Sequence, residues 1–265
     1  MEDLAPLRGS KYSRSALGTV YADAKAYLMR GKPVYFSGTP CQIAGLKSRI
    51  GADHMLLITQ DVVCAGMPTD AAYEAYLKYL EKKLDAKPVR LDFRDKSGGW
   101  SRYYVHAVGA NGREYKRVFW DDPYMLCFIN QLSLRDACYT CAFQGERSKA
   151  DITLGDFWAV DTIYPEMNDN KGISLVTVRT EQGRALLETV RDRMKACVLP
   201  DRHLSYEKPR ESSLVTDARE RFLRDIGKTP LDRLVKQCMK TRRLDRLASL
   251  LMDAYQNIIS ERCGV

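Results

Sequence analysis

Two cysteines stand two residues apart, Cys138 and Cys141, in "RDACYTCAFQGERSKADITLGDFW". Sulfurs at that spacing can form a redox dithiol, half of a zinc site or half of an iron–sulfur site. Sites of the last two kinds mostly need four ligands, so other cysteines must reach the same place. The chain holds eight. Cys41, in "SGTPCQIAGLK", and Cys64, in "ITQDVVCAGMP", each follow a short apolar run that reads as a buried strand. Cys127, Cys197, Cys238 and Cys263 fall on helix-like segments or at the terminus, and read as core or incidental residues.

The elements that must position these sulfurs follow from pattern. Residues 19–30 form an amphipathic stretch with Tyr21, Ala24 and Leu28 on one face. Val34–Ser37 is a short strand, and "TPCQIAGLKSRI" a helix with Thr39 as N-cap, Pro40 in its first turn and Ile43, Leu46 and Ile50 inward. Met55–Val63 is a second buried strand, and "TDAAYEAYLKYLEKKL" a second helix, burying Tyr73, Tyr76, Leu77, Leu80 and Leu84. Strand–helix–strand–helix predicts parallel strands with a right-handed crossover and a ligand crevice at their carboxyl ends.

Residues 89–120 change character: alternating runs surround Asn111–Gly112, a hairpin signal, which adds an antiparallel portion. A helix-like "DPYMLCFINQL" leads to the C-x-x-C. "ADITLGD" and "ISLVTV" read as strands, and Thr180 caps a helix "EQGRALLETVRDRMKAC". Helices follow at about 215–226, 230–240 and 243–258. The expected architecture is an α/β fold with a parallel strand–helix–strand core, an added antiparallel hairpin portion and a C-terminal helical appendage. The domain border is placed near residue 200, giving an α/β domain at 1–200 and an appendage at 201–265.

Composition limits the alternatives. The chain has 265 residues, 45% hydrophobic and 29% charged, enough for a sizeable core without disulfide staples. The N-terminus lacks the basic and apolar regions of a signal peptide, and no apolar run approaches the ~18 residues of a membrane helix. A cytoplasmic protein is expected, in which cysteines bind metal, react or sit in the core rather than pair. The net charge is +8, but the last 65 residues interleave 14 Lys/Arg with 10 Asp/Glu, and no zinc-finger, homeodomain or RNP pattern accompanies them. Nucleic acid is not the expected partner.

Cys41 and Cys64 lie past the carboxyl ends of strands that a strand–helix–strand unit places on one sheet edge, with neighbours about 4.8 Å apart. Cys41 also sits in the first turn of its helix, where unpaired N–H groups and the dipole favour a thiolate. A thioredoxin-type dithiol begins a helix after a strand, whereas Cys138–Cys141 follows a helix. Together the four cysteines make a credible tetrathiolate for zinc or a [4Fe–4S] cluster. Structural zinc usually shows two C-x-x-C knuckles, so this spread set leans toward iron–sulfur. His54, His106 and His203 lack motif context and read as structural.

"LRGSKYSRSALG", "VYFSGTPCQIAGLKS", "ITQDVVCAGMPT", "FRDKSGGW", "LRDACYTCAFQGERSKADITLGDFW" and "DNKGISLV" together resemble, over about residues 7–196, the C-terminal half of the coenzyme F-420 hydrogenase/dehydrogenase beta-subunit family. The resemblance implies a flavin iron–sulfur oxidoreductase that passes electrons between an iron–sulfur chain, FAD and a soluble two-electron carrier. It implies a [4Fe–4S] cluster on Cys41, Cys64, Cys138 and Cys141, and FAD near the Gly38–Thr39 turn. A strand–turn–helix junction of this kind can hold a phosphate. Lys11, in the matching "GSKY", and Asp156, after the C-x-x-C, are further cofactor-binding candidates. Members usually carry an N-terminal ferredoxin module and a further segment before the "RGSKY" region. Neither precedes it here, so a ferredoxin-like redox partner is expected to supply the missing half, and FAD binding depends on it.

Asp151 and Asp156 flank a strand and read as cap or turn residues ahead of cofactor-ribose contacts or proton-transfer groups. Lys96, Trp100 and Arg102 around "KSGGW" read equally as a flavin or partner contact and as a packed hairpin tip. Two functions compete: an electron-transfer oxidoreductase module, or a non-catalytic scaffold stabilised by zinc or a cluster that binds a protein partner.

Overall fold

The computed structural model describes residues 9–51, 54–199 and 217–240. His203, Cys263, the helix expected at 243–258 and the border expected near 200 lie outside them. In chain order the elements are α1 (Val20–Met29), β1 (Val34–Ser37), α2 (Pro40–Ile50), β2 (Leu57–Val62), α3 (Asp70–Leu84), β3 (Pro88–Asp95), β4 (Tyr104–Gly109), β5 (Glu114–Val118), α4 (Pro123–Ile129) and α5 (Asp136–Tyr139). They continue as β6 (Ile152–Asp156), α6 (Val160–Ile163), β7 (Ser174–Val178), α7 (Glu181–Val190) and α8 (Asp217–Asp225). Residues 231–240 are helical.

The chain forms two compact units. One takes residues 15–51, 54–66 and 139–199 and holds a sheet in the order β1-β2-β6-β7. In it β1, β2 and β6 run parallel, while β7 is antiparallel to β6. The other takes residues 9–14, 67–138 and 217–240 and holds the antiparallel sheet β3-β4-β5. The sequence pattern groups α3 with the parallel strand–helix–strand–helix unit. Instead it packs in the second unit, against β3, β4, β5 and α4. An amphipathic stripe dictates that a face is buried, but not which sheet covers it.

Local chemistry sets the element ends. In α2, Thr39 is extended, Pro40 occupies the first turn, and the Gln42 side chain accepts the Thr39 N–H at 2.8 Å. The helix stops at Gly51, whose φ of 96° few other residues tolerate, with its N–H on the Lys47 carbonyl. Ile43 and Leu46 are fully buried and pack with Ala24, Leu28, Phe36 and Leu57 into the core of the parallel-sheet unit. In α3, Ala72, Tyr76, Leu80 and Leu84 recur every four residues on the buried face, and Thr69 caps the start. The hairpin turns where predicted, with Gly112 at φ 80° and Val108 opposite Glu114.

Asp122 anchors the antiparallel-sheet unit. Its carboxylate accepts the Met125 N–H at 2.9 Å, capping α4, and the Tyr76 and Tyr115 hydroxyls at 2.8 and 3.0 Å. It is fully buried. Burial pushes its pKa above the ordinary carboxylate value, although the hydrogen bonds from Met125, Tyr76 and Tyr115 oppose this. A raised folded pKa means that the neutral acid is the better-tolerated form. The associated stability is present at acid pH and is lost as pH rises through the raised pKa. Thermal melts from pH 4 to 8 should therefore show wild type losing stability with pH relative to Asp122→Asn; a difference that stays flat with pH contradicts this.

Candidate functional site

In the parallel-sheet unit, Ser37 of β1 lies opposite Gln60 of β2, and Val62 of β2 opposite Leu154 of β6. The carboxyl ends of all three strands therefore line one edge. Cys41 follows β1 within the first turn of α2, exposed, with its Sγ 3.3 Å from the Thr39 hydroxyl. Cys64 follows β2 by two residues, half-buried, and its Sγ accepts the Gly66 N–H at 3.4 Å. Gly66 has φ 104°, a turn that releases the chain from β2. Cys141 is in the same unit, in the loop after α5.

Cys138 is the last residue of the other unit's central segment. The stretch before it lies along residues 67–69: Thr69 N–H donates to the Ser133 carbonyl at 2.7 Å, Arg135 N–H to the Met67 carbonyl at 2.9 Å, and Pro68 bridges Leu134. Met67 N–H donates to Cys138 Sγ at 3.3 Å. Gly66 and Met67 are consecutive, so successive backbone amides serve the sulfurs of Cys64 and Cys138, each within its own unit. All seven described cysteines are outside disulfides. Among the described residues no three His, Cys, Asp or Glu side chains stand close enough together to hold a metal ion.

The Gly38–Thr39 turn keeps little backbone for a phosphate. Gly38 N–H donates to the Gln60 carbonyl at 3.0 Å, and Thr39 N–H to Gln42 Oε1 at 2.8 Å. A Cβ on Gly38 would sit 3.1 Å from Gln42 Oε1 and 3.2 Å from its Cβ, so the turn is closed by Gln42. Asp156 ends β6 opposite Ser174. Lys11 lies in the antiparallel-sheet unit, where its Nζ donates to the Gly9 carbonyl at 3.2 Å. Trp100 is buried and Arg102 lies over Trp120, which favours the packed-tip reading of that turn. His54 accepts the Leu56 N–H, and His106 stands between Asp95 and Glu114, both structural arrangements.

The residue that the sequence pattern does not single out is Asp61, inside the apolar run of β2. It is fully buried, and its two oxygens accept the Ser148 and Thr153 hydroxyls at 2.6 Å each. Arg179 Nε donates to Thr153 Oγ1 at 2.9 Å. Burial raises the Asp61 pKa, against the two hydroxyl bonds. Ser148 belongs to the loop after Cys141, and Asp61 lies three residues before Cys64, so this bond ties the segments that carry Cys64 and Cys141 together. An acid within a buried strand run was the available signal. Asp151 is a brace as well: it accepts the Thr59 N–H and hydroxyl and the Thr180 hydroxyl, at 2.6–2.7 Å.

Outside this set, Cys127 is completely buried and its thiol is pushed up to about 12 by desolvation. Cys238 is buried as well. Cys197 was read as helical, but α7 ends at Val190, and Cys197 is exposed with Sγ 3.1 Å from Met167 Sδ. Alkylation of the folded, metal-free protein near pH 8, followed by mass spectrometry, should label Cys41 and Cys197 and spare Cys127 and Cys238; early labelling of Cys127 contradicts this packing.

Among the described residues no helix is long and apolar enough to cross a membrane. A chain of the F420-reducing [NiFe] hydrogenase complex from Methanosarcina barkeri, solved as a xenon derivative, is similar at 13% identity with a TM-score of 0.44. The similarity covers 92% of this chain and 70% of that one. No curated protein matches. The family model for the C terminus of the coenzyme F420 hydrogenase/dehydrogenase beta subunit matches residues 31–200. That span contains Cys41, Cys64, Cys138 and Cys141 together with Gly38, Thr39 and Asp156, and leaves out Lys11. The chain belongs to the coenzyme F420 hydrogenase/dehydrogenase beta-subunit family, in its C-terminal part.

Proposed function

We propose that this chain is an iron–sulfur electron-transfer module of an oxidoreductase, with Cys41, Cys64, Cys138 and Cys141 as the ligands of a [4Fe–4S] cluster. The observation that carries the reading is the pair of consecutive amides, Gly66 and Met67, donating to the sulfurs of Cys64 and Cys138. Backbone N–H groups aimed at sulfur stabilise thiolate, the ligating form, and hydrogen bonds to cluster sulfurs set potential. The donor set is chemically apt, four thiols outside disulfides, and loading must draw them together, since among the described residues no three His, Cys, Asp or Glu side chains stand close enough to hold a metal ion. Cys41 adds a fourth sulfur in the first turn of α2, beside the Thr39 hydroxyl. Bound there, the cluster would supply one-electron transfer.

The residues of this chain hold the sulfurs rather than move protons. Asp61 fixes the loop after Cys141 to β2 through Ser148, and Gly155 permits close approach, since a Cβ there would lie 2.6 Å from Val63 Cγ2. Single-electron transfer requires a donor and an acceptor, so a redox partner protein belongs to the proposal. FAD fits the Gly38–Thr39 turn poorly as it stands, because both N–H groups are engaged and Gln42 closes the turn.

Anaerobic purification, or reconstitution with iron and sulfide, should give a brown protein with about four irons per chain. Cys138→Ser or Cys64→Ser should lose most of that iron, while Cys197→Ser keeps it. A colourless chain with stoichiometric zinc, or full iron in Cys138→Ser, contradicts the assignment. The chain mixed with FAD and desalted should emerge without a flavin spectrum. Stoichiometric retention by wild type, abolished by changes at Gly38, would show that the turn opens to admit it.

A further inference from the structure

The family match ends at residue 200, yet a side chain from beyond it reaches the segment that carries the first cysteine of the pair. In α8, Ala218 and Phe222 are fully buried, and Arg219 between them is only 6% exposed. Burying a guanidinium is costly unless its N–H groups find acceptors. Arg219 Nη2 donates to the Leu134 carbonyl at 3.1 Å and to the Asp136 carboxylate. Leu134 and Asp136 lie four and two residues before Cys138. Arg135 N–H in the same stretch donates to the Met67 carbonyl, the Ser133 carbonyl just before it accepts the Thr69 N–H, and Cys138 N–H donates to the Arg135 carbonyl at 2.9 Å. The contacts from α8 and from residues 67–69 thus converge on one short stretch, and all lie within the antiparallel-sheet unit.

We propose that Arg219 is a positioning residue for Cys138: its guanidinium holds residues 134–138 so that Cys138 Sγ meets the Met67 N–H. The helix beyond the family match thereby sets where one of the four sulfurs stands. The consequence for a cluster rests on the proposed function, whereas the clamp itself concerns the metal-free chain. Asp136 is 91% exposed, so its share is screened by water. The buried bond to the Leu134 carbonyl is charge-assisted and carries more.

The test uses the whole 265-residue chain in two states. In the metal-free state, alkylation is followed residue by residue by mass spectrometry in wild type, Arg219→Gln, Arg219→Lys and Asp136→Asn. Losing a charge-assisted bond should speed Cys138 by about tenfold in Arg219→Gln, with Cys41 and Cys197 within about twofold. Arg219→Lys keeps a donor and a charge, so it should fall between, and Asp136→Asn should change Cys138 less than Arg219→Gln does. Unchanged Cys138 reactivity in Arg219→Gln, or an equal rise at every exposed cysteine, overturns the clamp. If Arg219→Gln unfolds, shown by labelling of the buried Cys127, then Arg219→Lys decides: a selective rise at Cys138 supports the clamp and none overturns it. In the iron-loaded state, Arg219→Gln should surrender iron to a chelator several-fold faster than wild type; equal rates overturn the link to the cluster. A wild type that takes up no iron refutes the proposed function and leaves the alkylation result to judge the clamp.

Discussion

The parallel-sheet unit depends on one carboxylate. Asp151, at the entrance of β6, is almost fully buried and accepts three hydrogen bonds: the Thr59 amide and hydroxyl from β2, and the Thr180 hydroxyl that begins α7. Its own amide donates to the Thr59 carbonyl, and its carbonyl accepts the Arg179 amide. One residue thus fixes β2, β6 and the exit of β7. A one-residue slip in a strand turns every side chain to the opposite face. Such a slip would carry Asp61 out of reach of Ser148 and Thr153 and turn the chain leading to Cys64. Gly183 belongs to the same lock, because a Cβ there would run into the Asp151 carbonyl.

Buried carboxylates recur because both units must hold polar loops against apolar sheets. Asp61 and Asp122 each desolvate a carboxyl group and offset the cost with two hydroxyl donors. Their placement differs in consequence. Asp122 ties α3, β5 and α4 within a tyrosine-rich core, where Tyr76 stacks on Tyr124 at 4.8 Å. Asp61 instead joins the strand leading to Cys64 with the loop following Cys141, and so bears on sulfur placement.

Much of this was legible in the sequence where the signal is local. Thr39 and Pro40 begin α2, Asn111–Gly112 turns the hairpin, and Thr180 caps α7, each because a short-range backbone requirement selects the residue type. The strands past which Cys41 and Cys64 lie were legible as short apolar runs, and the parallel pairing of β1 with β2 follows from the crossover. Non-local choices were hidden. The pattern of α3 does not say that it serves the antiparallel sheet, and nothing in "ADITLGD" says that it pairs with a strand about ninety residues earlier. The partners of Asp61 and Asp151, the amides on Cys64 and Cys138, and the reach of Arg219 are likewise products of folding, since each joins segments distant in the chain or uses backbone atoms that every sequence has.

In the proposed reading the chemistry of the site turns on sulfur. The four candidate cysteines lie within the family span, two of them carry backbone N–H bonds, and the polar side chains nearby brace segments instead of presenting ligands. X-ray absorption at the iron edge of the anaerobically loaded chain reads this most directly. Four-thiolate ligation of a cluster predicts a first shell of sulfur alone at the iron, with a short iron–iron distance beyond it; nitrogen or oxygen in the first shell, or no iron–iron scattering, would contradict it.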